Sequence, residues 1–351
     1  MEQISNSEAS TSGSLKDDGI GRPSRWTSAH IILVALPLLD LVTLFLLAGQ
    51  RWGSTASTVF ALIVVTHGLL AWWVFKSRVK GEASREAALV RRYRDLQSAI
   101  EDGDLVLHYQ PEVSLEDHRV HAVEALVRWR QPDGQLTPPL DFIPFAEESG
   151  LIRPLGTWVL RKACEQLAEW RATMPQAAQV RMSVNVSAVQ LDHPKFVAAV
   201  QSALRDAGLL PDDLILEVTE SSLVSDPKVF RVILRQLQDL GLRIALDDFG
   251  TGYASINYLR AFKFDFVKLD RSFVAPLETP HGDVDLVAGL VTLTRSLGAS
   301  VIAEGVSSGE LAYACRSLGC NWAQGHYFAA AASPEEIEAL LRSQGQLQLV
   351  A

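Results

Sequence analysis

The sequence predicts a β/α barrel preceded by a pair of membrane-spanning helices. Beyond residue 104, short apolar strands alternate with amphipathic helices, and about eight such strands fall within one domain, as in a barrel. No GxGxxG turn follows an early strand, which disfavours a dinucleotide-binding sheet. The membrane helices are predicted from two long apolar runs in the amino-terminal part of a 351-residue chain whose mean hydropathy is +0.12.

The amino-terminal part is predicted to be a membrane anchor. Residues 1–29 are polar and Ser-rich, which is typical of a disordered tail. Two apolar runs, Ile31–Ala48 and Ala56–Phe75, are each long enough to cross a hydrocarbon core of about 30 Å, so residues 30–75 are expected to form a transmembrane hairpin. Basic residues concentrate in the segment that follows, and the positive-inside rule places both ends in the cytoplasm. We therefore expect a multi-pass protein of the inner (cytoplasmic) membrane, in contact with lipid.

The segment 76–97 is predicted to be a basic juxtamembrane region and linker helix. Apolar residues at three- and four-residue intervals over Glu82–Glu101 indicate the helix. The folded domain is expected to span 98–345, and 346–351 to form a tail. The membrane hairpin is expected to serve anchoring and dimerisation, because its Gly49–Thr55 loop is too short to form an external sensor domain.

Each element of the barrel is predicted from a short apolar or amphipathic segment. The candidate strands are Val106–Gln110, Ala122–Trp129, Val180–Val186, Leu214–Val218, Arg243–Leu246, Phe266–Leu269, Ser300–Ala303 and Trp322–Phe328. The candidate helices between them are Pro139–Ser149, Thr157–Met174, Pro194–Ala207, Asp226–Leu240, Val284–Leu297 and Ser308–Leu318.

Composition limits the classes of function. The net charge of −9 argues against a general DNA- or RNA-binding protein, which is normally basic. The three cysteines, Cys164, Cys315 and Cys320, contain no CxxC pair, which excludes a disulfide framework and a cysteine zinc site. A reducing compartment is therefore expected for the folded domain.

The predicted strands end, one after another, in residues that bind cations or phosphates. These residues are Glu124, Asn185, Glu217, Asp247 with Asp248, Lys268 with Asp270, Glu304 and Gln324. Glu124 differs from the others, because its strand continues past it. The carboxyl ends of the strands of a β/α barrel surround one site, so we expect these side chains to converge.

The residue types at these strand ends predict a metal-dependent hydrolase. Carboxylates with one Asn amide, and without His or Cys, suit Mg²⁺ or Mn²⁺ rather than zinc. Adjacent Asp247 and Asp248 allow one carboxylate to bridge two ions while its neighbour holds the second. Two ions about 4 Å apart suit phosphoester hydrolysis. Lys268 is then expected to orient or help deprotonate the water, and Arg128 to hold a phosphate group.

A set of motifs occurs in order between about residues 98 and 345. They are Tyr109–Pro111, Glu124–Trp129, Phe142–Glu148, Gly150–Ile152, Asn185–Ser187, Glu217–Glu220, Asp247–Tyr253, Lys268–Asp270, Ala303–Val306 and Gln324–Gly325. Together they resemble the EAL domains, a family of bacterial cyclic di-GMP phosphodiesterases. The resemblance implies a barrel of the EAL type that hydrolyses cyclic di-GMP to linear pGpG and lowers the level of this second messenger.

The resemblance also implies a role for each site residue. Glu124, Asn185, Glu217 and Asp247 would hold the first ion, and Asp247, Asp248 and Glu304 the second. Glu304 would be the base, and Lys268 would contact the hydrolytic water. Gln110 and Arg128 would touch the substrate, and Gln324 and Asp270 would support water or ligand. Glu220 would position the Asp248–Tyr253 loop, which in the family lies near the contact of a homodimer.

One departure from the family pattern leaves a second function open. Ser307 stands where the family usually has a glutamate three residues after Glu304. The alternative is therefore a catalytically weak or inactive EAL domain that acts as a cyclic di-GMP receptor or a protein-interaction module. No GGDEF signature of a diguanylate cyclase occurs in the sequence, so synthesis of the messenger is not supported.

Overall fold

A computed structural model describes residues 54–220, 222, 227–250, 260, 262–279 and 283–343. Contacts between Cα atoms divide the chain into two units, Met1–Leu89 and Val90–Ala351. The predicted tails 1–29 and 346–351 lie outside the described residues. The helix α1 (Ser54–Asp102) contains the boundary between the units and includes the predicted linker helix.

The described part of the first unit is the amino-terminal part of α1. This helix contains no proline, which allows it to continue without interruption. Lys76 Nζ lies 4.9 Å from the centre of the Trp72 ring, one turn earlier on the helix. Such a contact between a cation and an aromatic ring at this spacing supports the helix locally.

The predicted membrane localisation is wrong. The first predicted span, Ile31–Ala48, lies outside the described residues, and the second, Ala56–Phe75, lies within α1. Among the helices in the described part of the chain, none combines the length and the apolar composition that crossing a membrane requires. In α1, the stretch from Thr66 to Gly68 interrupts the apolar run, which lowers its mean hydropathy. The contact with lipid was expected only because of this localisation, so it loses its basis as well.

The second unit contains a closed barrel, which confirms the fold predicted from the strand pattern. Its strands are β1 (Leu105–Ser114), β2 (Val120–Arg130), β3 (Leu136–Thr137), β4 (Arg181–Val186), β5 (Leu214–Thr219), β6 (Arg243–Phe249), β7 (Phe266–Leu269), β8 (Ser300–Ala303) and β9 (Trp322–Ala323). Their order is β1-β9-β8-β7-β6-β5-β4-β2-β3, and β1 also pairs with β2 and closes the ring. The short strand β3 extends the sheet beyond the ring of eight.

One strand of the ring, β1, runs opposite to its neighbours. It pairs antiparallel with β2 and β9, whereas the other strands of the ring pair in parallel. Only Leu115–Arg119 separates β1 from β2. A parallel pair needs a crossover of about a dozen residues or more, so this connection permits only a hairpin. The hairpin register places Gln110 opposite Glu124.

Helices surround the barrel. After α1 they are α2 (Ile143–Ser149), α3 (Ile152–Thr173), α4 (Ala188–Leu191), α5 (Phe196–Ala207), α6 (Pro227–Asp239), α7 (Arg271–Val274), α8 (Val284–Ser296), α9 (Gly309–Ser317) and α10 (Pro334–Arg342). The helix predicted to begin at Thr157 begins at Ile152, because Pro154 lies in the first turn, where proline is tolerated. The sequence pattern did not predict α10. This helix begins after Ser333, which forms a capping box with Glu336.

Side chains that point into the barrel form two layers, because successive residues of a strand face opposite sides. The lower layer is an apolar cluster of Ala122, Ile215, Ala245, Phe266 and Ile302, packed against Trp322. The upper layer lies two residues further along the chain from each of these six, on the same strand or directly after its end. It consists of Glu124, Glu217, Asp247, Lys268, Glu304 and Gln324. The apolar layer therefore forms the floor beneath the polar residues.

Candidate active site

The upper layer is organised around the ammonium group of Lys268. Its Nζ lies 2.9 Å from both Glu217 Oε2 and Glu304 Oε1. It also lies 3.2 Å from Glu124 Oε2 and 3.8 Å from Asp247 Oδ1. One cation therefore faces four carboxylates, carried by β2, β5 and β6 and by the residue that follows β8. The site retains an excess of negative charge.

Amide side chains fix the orientation of Glu124. Asn185 Nδ2 donates a hydrogen bond to Glu124 Oε1 at 2.6 Å, and Gln324 Nε2 donates to Oε2 at 2.7 Å. Gln324 Nε2 also lies 3.2 Å from Gln110 Oε1, and Gln110 Nε2 donates to the carbonyl of Ala329. Asn185 and Gln324 thus bind the Glu124 carboxylate directly, and Gln110 joins this network through Gln324.

A second group of carboxylates lies at the mouth of the barrel. Asp247, Asp248 and Glu304 each offer an oxygen, and these oxygens lie within 4.8 Å of one another. Asp248 has a φ of 55°, which is uncommon for a residue other than glycine, and its N–H donates to Asp247 Oδ1 at 2.9 Å. This backbone conformation brings the carboxylates of Asp247 and Asp248, which are consecutive in the chain, close together at the mouth of the barrel.

The pKa values of the site follow from burial and from the crowding of charges. Burial raises the pKa of Glu217 well above its usual value, and the charge of Glu124 adds to the shift. Burial also raises the pKa of Glu304 to about 8, although Lys268 opposes the shift. For Lys268, burial would lower the pKa, but the surrounding carboxylates outweigh it and hold the pKa well above its usual value.

The donor set fits a hard divalent cation. Burial raises the pKa of Asp248, and the neighbouring charges of Asp247 and Asp270 add to the shift. A divalent cation reverses this situation, because it stabilises ionised carboxylates. Asp247, Asp248 and Glu304 supply only oxygen donors, and oxygen is the ligand type that Mg²⁺ and Mn²⁺ prefer.

The remaining predicted residues lie around this centre. Arg128 is half-buried, and its Nη1 donates to the carbonyl of Val127. Within the described part of the chain the guanidinium makes no ion pair, which leaves it able to bind a phosphate. Glu220 is buried, and its Oε2 accepts the N–H of Gly250, where the Asp248–Tyr253 loop begins. Asp270 accepts the N–H of Ser272 and caps α7.

Two buried polar residues of the barrel were missed in the sequence reading. Glu112 lies on β1 two residues after Gln110, and Ser183 lies on β4 two residues before Asn185. Both are fully buried, and the strand register sets Glu112 opposite Ala122, and Ser183 between Glu124 and Ile215. The two-residue alternation of a strand could have identified them. Glu112 and Ser183 lie two residues from Gln110 and Asn185, so their side chains also point into the barrel.

Ser307 is exposed and lies beside Glu278 rather than among the buried carboxylates. Its Oγ is 3.4 Å from Glu278 Oε1, and the hydroxyl of Ser308 donates to the same oxygen at 2.5 Å. Ser308 is also the N-cap of α9. Glu278 thus ties the turn after Glu304 to the segment that follows α7.

Comparisons with known proteins agree with this geometry. The EAL domain family model matches residues 93–331. The sequence is 39% identical over 259 residues to the bifunctional diguanylate cyclase/cyclic di-GMP phosphodiesterase MucR of Pseudomonas aeruginosa, covering 74% of this chain and 37% of MucR. It is 39% identical over 235 residues to the cyclic di-GMP phosphodiesterase PdeR of Escherichia coli K12, covering 67% of this chain and 35% of PdeR. The chain therefore spans well under half the length of either relative.

A solved structure is similar to the barrel. The PaMucR phosphodiesterase, in a complex with c-di-GMP, matches with a TM-score of 0.66 and 39% sequence identity. The match covers 70% of this chain and 99% of that chain.

Proposed function

The chain belongs to the EAL domain family, and from this membership we propose that it hydrolyses cyclic di-GMP to linear pGpG with the help of divalent cations. The observation that carries the proposal is the convergence of four carboxylates on Lys268 at one end of the barrel. The names of MucR and PdeR, and the c-di-GMP complex of PaMucR, support the choice of substrate.

Two ions, Mg²⁺ or Mn²⁺, fit the residues of the site. Glu124, Asn185, Glu217 and Asp247 would hold the first ion, and Asp247, Asp248 and Glu304 the second. When bound, such ions neutralise the charge that develops on the phosphodiester oxygens and make water more acidic. Their presence also reduces the mutual repulsion of the carboxylates.

The chain's own residues bind the substrate and move the proton. Arg128 holds a phosphate oxygen through its guanidinium, and Gln110 contacts the dinucleotide. Lys268 orients the attacking water, and Glu304, whose Oε1 lies 2.9 Å from Lys268 Nζ, accepts its proton. The water oxygen forms a new bond to phosphorus, the bond from phosphorus to the 3′ oxygen breaks, and that oxygen takes up a proton.

The supporting residues hold this arrangement in place. Gln324 fixes Glu124, and Asp270 adds to the negative charge around Asp248. Glu220 holds the backbone of Gly250 at the beginning of the loop that the family uses near its dimer contact. A homodimer through the EAL domain is part of the proposal, and sedimentation of the purified chain with and without cyclic di-GMP tests it.

The proposed activity is tested with the purified full chain, cyclic di-GMP and Mn²⁺ or Mg²⁺, with the product separated by chromatography. We expect linear pGpG, formed only while the metal is present and abolished by a chelator. Glu304→Gln should remove the activity, whereas Glu310→Gln, at an exposed glutamate of α9, should not. A wild-type chain that forms no product at any metal concentration would exclude the enzyme.

The second candidate is a cyclic di-GMP receptor without turnover, which rests on the departure from the family pattern at Ser307, a side chain that lies exposed beside Glu278. Calorimetry that detects binding of cyclic di-GMP, together with an absence of product, would support this function. The variant Ser307→Glu then tests whether the residue at position 307 causes the absence of turnover. Turnover that begins only in this variant would identify position 307 as the defect, whereas continued absence of product would place the defect elsewhere.

A further inference from the structure

The floor of the barrel contains two polar residues in an otherwise apolar layer. Six strands contribute Ala122, Ile215, Ala245, Phe266, Ile302 and Trp322 to this layer. On the two remaining strands of the ring, Glu112 of β1 lies opposite Ala122 and Ser183 of β4 lies opposite Ile215, and both are 0% exposed. A carboxyl group fully enclosed beneath the site is costly unless it takes part in hydrogen bonds, so its neighbours are informative.

Glu112 faces Ser183 and Glu217. Both oxygens of Glu112, Ser183 Oγ and Glu217 Oε1 are buried and make no hydrogen bond of standard geometry with a described residue, although Glu112 is within hydrogen-bonding range of Ser183 and Glu217. Buried polar groups in native proteins are almost always satisfied, by protein or by ordered water. Polar enclosures of this kind hold water, whereas empty cavities are apolar.

The two oxygens of Glu217 have different surroundings. Its Oε2 lies 2.9 Å from Lys268 Nζ, on the side of the proposed metal centre. Its Oε1 has no partner among the described residues and is adjacent to the polar part of the floor. The surroundings of Oε1 therefore contribute to the orientation of this carboxylate.

We propose that Glu112 and Ser183, directly or through internal water, form a hydrogen-bonded cradle that holds Glu217 in the orientation that binds the metal. Glu112 is then a positioning residue and does not touch the substrate. The inference rests on the proposed function, because it takes Glu217 as a metal ligand. Groups that orient the ligands of a metal change its affinity by roughly 10- to 100-fold, and this is the size of effect expected here.

The test compares variants that keep volume but differ in hydrogen bonding. Glu112→Leu removes the hydrogen bonds, Glu112→Gln retains them, and Ser183→Ala removes the second arm of the cradle. Mn²⁺ binding to the full chain is measured by calorimetry without cyclic di-GMP, and folding is checked by urea unfolding. Ile215→Val, a change in the same buried layer with no polar group, is the control for disturbed packing.

We expect Glu112→Leu to weaken Mn²⁺ binding roughly 10- to 100-fold, while Glu112→Gln and Ile215→Val stay close to wild type. Equal affinity in folded Glu112→Leu and wild type would overturn the inference. If Glu112→Leu does not fold, Ser183→Ala decides, because weakened binding supports the cradle and unchanged binding overturns it. A wild type that binds Mn²⁺ without turnover would refute only the proposed function, and one that binds no Mn²⁺ would refute both.

Discussion

Lys268 Nζ lies 2.9 Å from Glu217 Oε2, and each of these two side chains is no more than 1% exposed. In water such a pair contributes little, because both ions are well solvated when separated. In the barrel the ammonium group has no access to solvent, and it is the cation that faces the buried carboxylates, so its removal leaves buried negative charge such as that of Glu124 without compensation. The site therefore depends on this lysine for its stability as well as for its chemistry.

Lys268→Met should lower both stability and turnover. Without metal, the free energy of unfolding should fall by about 3–5 kcal/mol, because buried carboxylates lose their counter-ion. Turnover should fall about 10²- to 10⁴-fold, because the water loses the group that orients it. Urea unfolding and the chromatographic assay measure the two effects.

Lys162→Met is the matched control for this change. Lys162 Nζ also lies 2.9 Å from a carboxylate, that of Glu165, but both side chains are exposed. An exposed pair is worth about 1 kcal/mol or less, so this variant should remain close to wild type. Equal losses in the two variants would contradict the role of burial.

Stability without metal should fall as the pH rises, because Glu304 has a raised pKa. The folded state holds the proton up to a pH of about 8, whereas the usual pKa of this group is 4.5. The stability from this proton is complete below pH 4.5 and is lost as the pH rises through 8. Urea unfolding with a chelator measures it, and Glu304→Gln should reduce the slope. Stability that increases over this range would contradict the prediction.

Metal binding should release a proton from Glu304. Below pH 8 the protonated carboxyl must ionise before it binds a cation. The apparent affinity for Mn²⁺ should therefore rise by up to about tenfold per pH unit and level off above pH 8. Calorimetry in buffers of different ionisation enthalpy counts the released protons. If Glu304→Gln releases as many protons as the wild type when it binds Mn²⁺, the proton comes from another group.

Gly305→Ala should disturb the backbone next to Glu304. Gly305 has a φ of +70°, and an added Cβ would lie 2.5 Å from Cγ of Arg271 and 2.7 Å from its Cβ. Gly298→Ala is the control, since φ there is +84° but no atom lies within 4 Å of the added Cβ. Backbone strain of about 1–2 kcal/mol should appear in both variants. Only Gly305→Ala should lose further stability, and it should also lose turnover. Equal effects in the two variants would show that the Arg271 side chain moves away and relieves the collision.

Much of the upper layer of the site was predictable from the sequence. Glu217, Asp247 and Glu304 each follow an apolar stretch, and the ends of neighbouring parallel strands meet at one mouth. Glu124 was harder to place, because β2 continues to Arg130. Its position depends on the register of the hairpin with β1, which sets Glu124 opposite Gln110.

By itself, the sequence determined the eight strands of the ring, though not the short β3, and which of their residues share a face, because strand length and two-residue alternation are local properties of the chain. It also specified the hairpin of β1 and β2, since a short connection cannot cross over. Only the tertiary structure decided that Lys268 contacts acids from several other strands, and that Glu112 and Ser183 share the floor beneath Glu217. These contacts join residues distant in the chain, and their distances are set by the closure of the barrel, which no local pattern encodes.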